Sequence, residues 1–233
     1  MKLDGARALI TGGSEGIGRA IAEAFKDKGA RVGVMARSQE KVRGAAEELG
    51  ALPLIGDVGV EEDAVRVVKE FVGEMGGIDI LVNNAGFGDF FPLVETDLDR
   101  FEAVMRTNVT GAMLMARECA RHFIQQESGN LVNISSTGGL RGGKGSTAYS
   151  GSKFALRGMT ECWRAELRPY NVRVTLVNPS EVQTDFFTKL GSPREYTDKK
   201  LRGQEIAEAV VGALEIDDRG FIPEFSVFAT NPW

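Results

Sequence analysis

Thr11-Gly12-Gly13-Ser14-Glu15-Gly16-Ile17-Gly18 stands between a short apolar run, Ala8-Leu9-Ile10, and a helical pattern that opens near Arg19. Run, turn and helix in that order set the end of a strand against the N-terminus of a helix. There the unpaired N–H groups and the positive end of the helix dipole attract a pyrophosphate, and residues without a Cβ let it approach the backbone. The spacing across Gly12, Gly16 and Gly18 is Gly-x-x-x-Gly-x-Gly rather than the commoner Gly-x-Gly-x-x-Gly, and no Gly-Lys-Ser/Thr closes it as a P-loop requires. The stretch reads as a dinucleotide turn after the first strand of an α/β sheet. A tight turn with no ligand has the same glycines, so the rest of the chain must decide.

Further apolar runs recur at Val32–Met35, Leu52–Ile55, Ile80–Val82, Leu131–Ile134 and Val172–Val177, with helix-length segments between them. Ile17, Ile21 and Phe25, then Val65, Val68 and Val72, then Phe101, Val104 and Met105 keep helical spacing. Strands alternating with helices predict βαβ units: one doubly wound parallel sheet of about seven strands, helices on both faces, and a single domain over 1–233. Thr96 or Asp97 is placed to cap the fourth helix, and Gly29 and Gly50 to end the first two. After Pro179, residues 184–203 carry two Phe, a Gly-Ser-Pro stretch and many charges, which suits a mobile loop over a pocket. Gln204–Leu214 then reads as an amphipathic helix and Phe225–Phe228 as a last strand, with an apolar tail through Trp233 that is costly to leave in water.

With 233 residues, 42% of them hydrophobic, the chain can bury one sizeable core. Its formal charge of -5 and scattered Lys and Arg offer no basic stripe for nucleic acid. No apolar run approaches the ~20 residues that span a bilayer, and Met1-Lys2-Leu3-Asp4 lacks a signal-peptide core, so a cytoplasmic protein is expected. Cys119 and Cys162 read as packing residues. The lone His122, near a helix end, makes a metal centre and a Ser-His-Asp hydrolase poor readings, and no metal is expected.

Tyr149 and Lys153 lie four apart on a predicted helix, on one face. A phenol with a pKa of ~10 exchanges protons poorly at neutral pH, and a neighbouring ammonium is expected to lower that value. Ser136 could then donate to a carbonyl oxygen while Tyr149 delivers a proton to it. Ser135 is the rival, but adjacent strand residues face opposite sides, and the register to Tyr149 selects Ser136. Asn108 sits in Thr107-Asn108-Val109-Thr110-Gly111, poor helix-interior residues that predict a local distortion. A partly buried structural Asn is the competing reading there.

The turn at Thr11 to Gly18, together with Asn83-Asn84-Ala85-Gly86, Asn108, Ser136, Tyr149 and Lys153, resembles the compact form of the short-chain dehydrogenase/reductase family from about Leu3 to Pro179. The resemblance implies an oxidoreductase moving a hydride between NAD(P)(H) and a carbonyl or alcohol. It gives Tyr149 the acid/base role, Lys153 that role's support and a nicotinamide-ribose contact, Ser136 substrate polarisation, and Asn108 a relay water. It also implies coenzyme contacts from Gly12, Ser14, Glu15, Gly16, Ile17 and Gly18, from Asp57 and Val58 at the adenine, from Asn83, Ala85 and Gly86 at the adenosine ribose, and from Pro179, Val182 and Thr184 at the nicotinamide. Asn83 and Asn84 could equally stabilise the turn after the fourth strand. The chain departs from the family at Ser180-Glu181, where glycine is common; Ser tolerates positive φ poorly, so a shifted loop is expected there. A non-catalytic nucleotide sensor would not need Asn108, Ser136, Tyr149 and Lys153 together.

The position after the second strand that would hold an acidic residue for a ribose 2′-hydroxyl is Ala36, followed by Arg37-Ser38. That pair predicts NADP(H) over NAD(H), with Arg19 as a second contact or a solvated charge and Glu15 arguing the other way. Phe87, Phe90, Phe91, Phe186 and Phe187 border the expected nicotinamide site and suit an apolar ketone or 3-oxoacyl substrate; ordinary loop packing is the alternative. Leu140 and Arg141 edge the same pocket, and an inward Arg141 would suit an anionic or acyl-carrier substrate. Met113, Met115, Phe154, Leu156 and Trp163 put apolar side chains on more than one face of two long helical segments, Asp97–Phe123 and Thr147–Tyr170, which predicts a homodimer or homotetramer.

Overall fold

The computed structural model describes residues 1–186, 188 and 195–232. Seven parallel strands form one sheet in the order β3-β2-β1-β4-β5-β6-β7. They are β1 Arg7–Thr11, β2 Arg31–Ala36, β3 Leu52–Ile55, β4 Ile80–Asn83, β5 Gly129–Ile134, β6 Val172–Pro179 and β7 Glu224–Val227. The helices are α1 Gly16–Asp27, α2 Gln39–Leu49, α3 Glu61–Met75, α4 Leu98–Met105, α5 Ala112–Gln126, α6 Thr147–Leu167 and α7 Gly203–Glu215. Every strand expected from the sequence is present.

Parallel strands covered on both faces read as unbroken apolar runs, because successive side chains feed two cores. Ala8 and Ile10 join one core with Ile21 and Phe25 of α1 and Ile206 and Val210 of α7. Leu9, between them, joins the other with Phe71 of α3 and Met115 and Phe123 of α5. Strand order reverses between β1 and β4, and the crevice beyond the carboxyl ends of strands at such a point is where ligands of open α/β sheets bind. Thr11 and Asn83 are the last residues of those two strands.

The distortion expected at Asn108 is a π-helical turn, Arg106–Gly111, joining α4 to α5. Asp97 caps α4, accepting from Arg100 N at 3.0 Å, while the Thr96 hydroxyl turns back to the Pro92 carbonyl instead. Glycine ends the first helices as expected: Gly29 (φ +83°) and Gly50 (φ +59°) take the left-handed region that favours it. Cys119 packs as expected, and burial pushes its thiol well above the ordinary range. Cys162 does not pack: it faces out of α6 and is exposed.

In the tail, Phe225 and Val227 pack on the first core, whereas Phe228 is mostly exposed. Trp233, like Phe187 and the Gly191-Ser192-Pro193 stretch, lies outside the described residues. No described helix is long and apolar enough to cross a membrane, and no described group of three or more His, Cys, Asp or Glu could hold a metal ion.

Candidate active site

The glycine turn is held from behind by a hydroxyl and an amide. Thr11, buried at the end of β1, accepts from the backbone N–H groups of Asn84 and Ala85, both at 3.0 Å, and donates to the Val82 carbonyl. Asn84 Nδ2 donates in return to the carbonyls of Thr11 (3.0 Å) and Gly12 (3.2 Å). Asn84 thus performs the turn-stabilising role. Asn83 points the other way: its Nδ2 donates to the Ala112 carbonyl and to Asn133 Oδ1, so only its backbone and the following Ala85-Gly86 reach the crevice.

This clamp explains the glycines. A Cβ at Gly12, whose φ is +64°, would stand 2.9 Å from Asn84 Nδ2, and one at Gly18 would collide with that same nitrogen and with the Gly12 carbonyl. Gly16 (φ +56°) opens α1, and a Cβ there would meet Thr184 Cγ2 at 3.4 Å, so turn and Thr184 face each other. The cradle is open, with bare helix-terminal N–H groups, and it fits a dinucleotide pyrophosphate.

At the adenosine end, the Ser38 side chain caps α2, accepting from Lys41 N at 3.3 Å, and retains its own hydrogen to donate. Arg37, mostly exposed, stands 3.8 Å from Asp57. Lys41, not singled out from the sequence, reaches Glu15 across the turn at 3.2 Å and offsets its charge. Its place one turn beyond the Ser38 cap was the available signal. Arg19 pairs with Glu23 and Glu48 on the surface. Asp57 accepts from Gly59 N and closes the turn after β3, while Val58 is buried against the π-turn at Gly111.

Ser136 follows β5, and Tyr149 and Lys153 share a face of α6. Ser136 Oγ accepts from Gly138 N at 3.0 Å and lines the same cavity wall as Tyr149. Ser135 turns away to the Lys153 carbonyl. Lys153, buried, donates from Nζ to the Ile134 carbonyl at 2.9 Å, and burial depresses its pKa to about 8. The expected lowering of the Tyr149 pKa by this ammonium is not found. Burial pushes the phenol above its ordinary value, and the Ser136 hydroxyl draws it partly back. Lys153 Nζ lies 5.8 Å from the Tyr149 ring centroid, with its hydrogen bond directed to the Ile134 carbonyl.

Asn108, fully buried in the π-turn, accepts from Phe87 N (3.0 Å) and donates to the Phe87 carbonyl and Ser152 Oγ (2.9 Å each). Ser152 passes its own proton to the Tyr149 carbonyl at 2.7 Å. One amide therefore ties the segment after β4 to the turn of α6 that carries Tyr149. Ser152, one residue before Lys153, was not picked out from the sequence.

A cavity of about 730 Å³ opens over Ser136 and Tyr149 and is lined also by Ile17, Pro179, Val182 and Thr184. Phe90 and Phe186 stack about the phenol, their centroids 5.4 and 5.6 Å from that of Tyr149. Leu140, Arg141 and Phe228 reach its mouth. Phe91 does not line it but lies beneath the Arg100 guanidinium, 4.1 Å away, and Phe87 is used through its backbone. Among the described residues positive φ outside glycine is confined to Glu127 and Asn171, so Ser180 is not held in that region, and its N–H bonds to the Val227 carbonyl. Beyond Val182, Gln183 closes the base of the next loop, bonding Thr197 N and the carbonyls of Thr197 and Lys200.

Residues 6–195 match the family described as short chain dehydrogenase. The human 3-oxoacyl-[acyl-carrier-protein] reductase is 36% identical over 214 residues, 88% of this chain and 90% of that protein. Among solved structures, the 3-ketoacyl-(acyl-carrier-protein) reductase from Brucella melitensis complexed with NADH superposes with a TM-score of 0.91 at 26% identity, over 99% of this chain and 100% of that one. The closed form of serine dehydrogenase complexed with NADP+ gives 0.89 at 25% identity, over 94% and 93%.

Proposed function

Because the chain belongs to the short-chain dehydrogenase/reductase family of nicotinamide-dependent oxidoreductases, we propose that it reduces an apolar ketone or 3-oxoacyl carbonyl with NADPH, and oxidises the corresponding alcohol in reverse. The observation that carries the reading is the convergence of Ser136 and Tyr149 on the wall of a largely apolar cavity, with Lys153 buried behind it. Gly12, Ser14, Glu15, Gly16, Ile17 and Gly18 would hold the coenzyme's pyrophosphate, Asp57, Val58, Asn83, Ala85 and Gly86 its adenosine, and Lys153, Pro179, Val182 and Thr184 the nicotinamide riboside. When bound, the coenzyme supplies or accepts the hydride. Ser136 donates a hydrogen bond to the substrate oxygen and Tyr149 gives that oxygen its proton. Asn108 holds the Phe87 segment and α6 in register, and Phe90 and Phe186 keep water from the phenol.

For the 2′-phosphate, Arg37 and Ser38 are joined by Lys41, whose pairing with Glu15 removes the sequence's main argument against NADP(H). Its attraction is that of a charged pair open to solvent, so a preference of about tenfold is expected. A homodimer or homotetramer and a cytoplasmic location complete the reading; Phe154, 44% exposed on α6, supports the first and two free cysteines the second. The test is carbonyl-dependent oxidation of NADPH across a panel of ketones and 3-oxoacyl thioesters. Turnover lost in Tyr149→Phe is the expected result, and no turnover with any of them overturns the reading.

A further inference from the structure

The mouth of the cavity carries two charged side chains, Arg141 and Glu181. Glu181 is neutralised by Lys200 Nζ at 2.8 Å. Among the described residues Arg141 has no carboxylate or carbonyl partner for its side chain, unlike the chain's Arg7, Arg19, Arg66, Arg100 and Arg117. Its backbone is nonetheless fixed, because the Thr137 carbonyl accepts from both Leu140 N and Arg141 N, each at 3.1 Å. That double bond-in ties Arg141 to the turn that begins at Ser136. Lys144, three residues on, is exposed as well. In a protein of net charge -5, an anchored, uncompensated guanidinium beside Phe90, Leu140 and Phe186 makes the cavity amphipathic.

Building on the reductase reading, we propose that Arg141 selects a substrate bearing an anionic group, carboxylate or phosphate, at the end remote from its reacting carbonyl. The carbonyl meets Ser136 and Tyr149, the apolar middle lies against the packed rings of Phe90 and Phe186, and the anion rests on the planar fork of Arg141, which donates to carboxylate or phosphate in two parallel hydrogen bonds. Arg141 is open to solvent at the rim, so its contribution is a salt-sensitive gain in substrate binding rather than in the chemical step.

The experiment compares three ketones of matched chain length, ending in a carboxylate, a phosphate monoester and a methyl ester, in the wild type, Arg141→Ala and Arg141→Glu. For the wild type, kcat/KM for at least one anionic ketone should exceed that for the ester by about fivefold or more, with the gain in KM and lost on raising ionic strength. Whichever anion shows the gain identifies the source. Arg141→Ala should erase the difference at unchanged kcat for the ester, and Arg141→Glu should reverse it. Equal rates for all three in the wild type, or a difference that survives Arg141→Ala, overturn the inference while leaving the reductase reading intact. If none is turned over, thermal stabilisation of the coenzyme-bound protein by a medium-chain carboxylate but not by its amide, lost in Arg141→Ala, still supports anion selection; no stabilisation by either overturns it.

Discussion

At the scale of single residues, the site is decided by what burial does to two titratable groups. Lys153 has its pKa lowered to about 8 by burial. Its unfolded form keeps a proton up to ~10.4, so between about pH 8 and 10.4 the unfolded state binds more protons and stability rises with pH. Below that window the buried charge costs the fold roughly 3 kcal/mol. Lys153→Met should therefore flatten the rise in melting temperature above pH 8 while abolishing turnover, which thermal denaturation across pH would read. Tyr149 is shifted up, so carbonyl reduction, which needs the phenol protonated, should hold its rate to alkaline pH, and alcohol oxidation should climb with pH. Tyr149→Phe should lose turnover by at least a thousandfold yet bind NADPH within about threefold of the wild type, as fluorescence titration would show. Arg37→Ala should lower the NADPH-to-NADH affinity ratio about tenfold; an unchanged ratio would remove Arg37 from the coenzyme reading.

Single secondary-structure elements act here through polar side chains that bridge them. The π-turn hangs on Asn108, and Asn108→Leu leaves Phe87 N, the Phe87 carbonyl and Ser152 short of partners. Stability should fall by about 3 kcal/mol or more, or roughly 6–12 °C in Tm for a chain of this size. Ser152→Ala, which removes the acceptor for Asn108 and the donor to the Tyr149 carbonyl but leaves the Phe87 bonds in place, should cost less, about 1–2 kcal/mol in the same melting experiment. How much of this could be read in advance follows from the range of the interaction. Strands, helices and the Asn108 distortion were legible because apolar period and local propensity act within a few residues. Ser136, Tyr149 and Lys153 were legible by spacing, and the structure brings them together. Lys41 opposite Glu15, and Asn84 behind the glycines, join positions 26 and 72 residues apart, which no local pattern encodes. The direction of the Tyr149 shift depends on burial by Phe90 and Phe186, and Phe186 belongs to a loop whose path a sequence period does not specify.

Across the whole molecule, a chain of buried amides and hydroxyls runs through the sheet from one layer to the next. Asn83 of β4 donates to Asn133 of β5, which donates to Thr160 of α6, which donates to the Leu156 carbonyl. This links β4, whose end borders the coenzyme crevice, to the helix bearing Tyr149. Phe154, on the outer side of that helix, is a large exposed apolar side chain that joins neither core. Phe154→Glu should shift light scattering from a dimer or tetramer toward the monomer mass of 25.2 kDa, and a monomeric wild type would remove the assembly from the reading. The closure beyond β6 has a different consequence. Gln183, through Thr197 and Lys200, and the Val182–Leu201 bridge fasten the two stems of the intervening segment to each other. Because lengthening a closed loop costs entropy only logarithmically, the enclosed stretch is an exchangeable cassette: selection or an engineer can rewrite its length and side chains, and so the repertoire of substrates, while the machinery beneath is inherited unchanged.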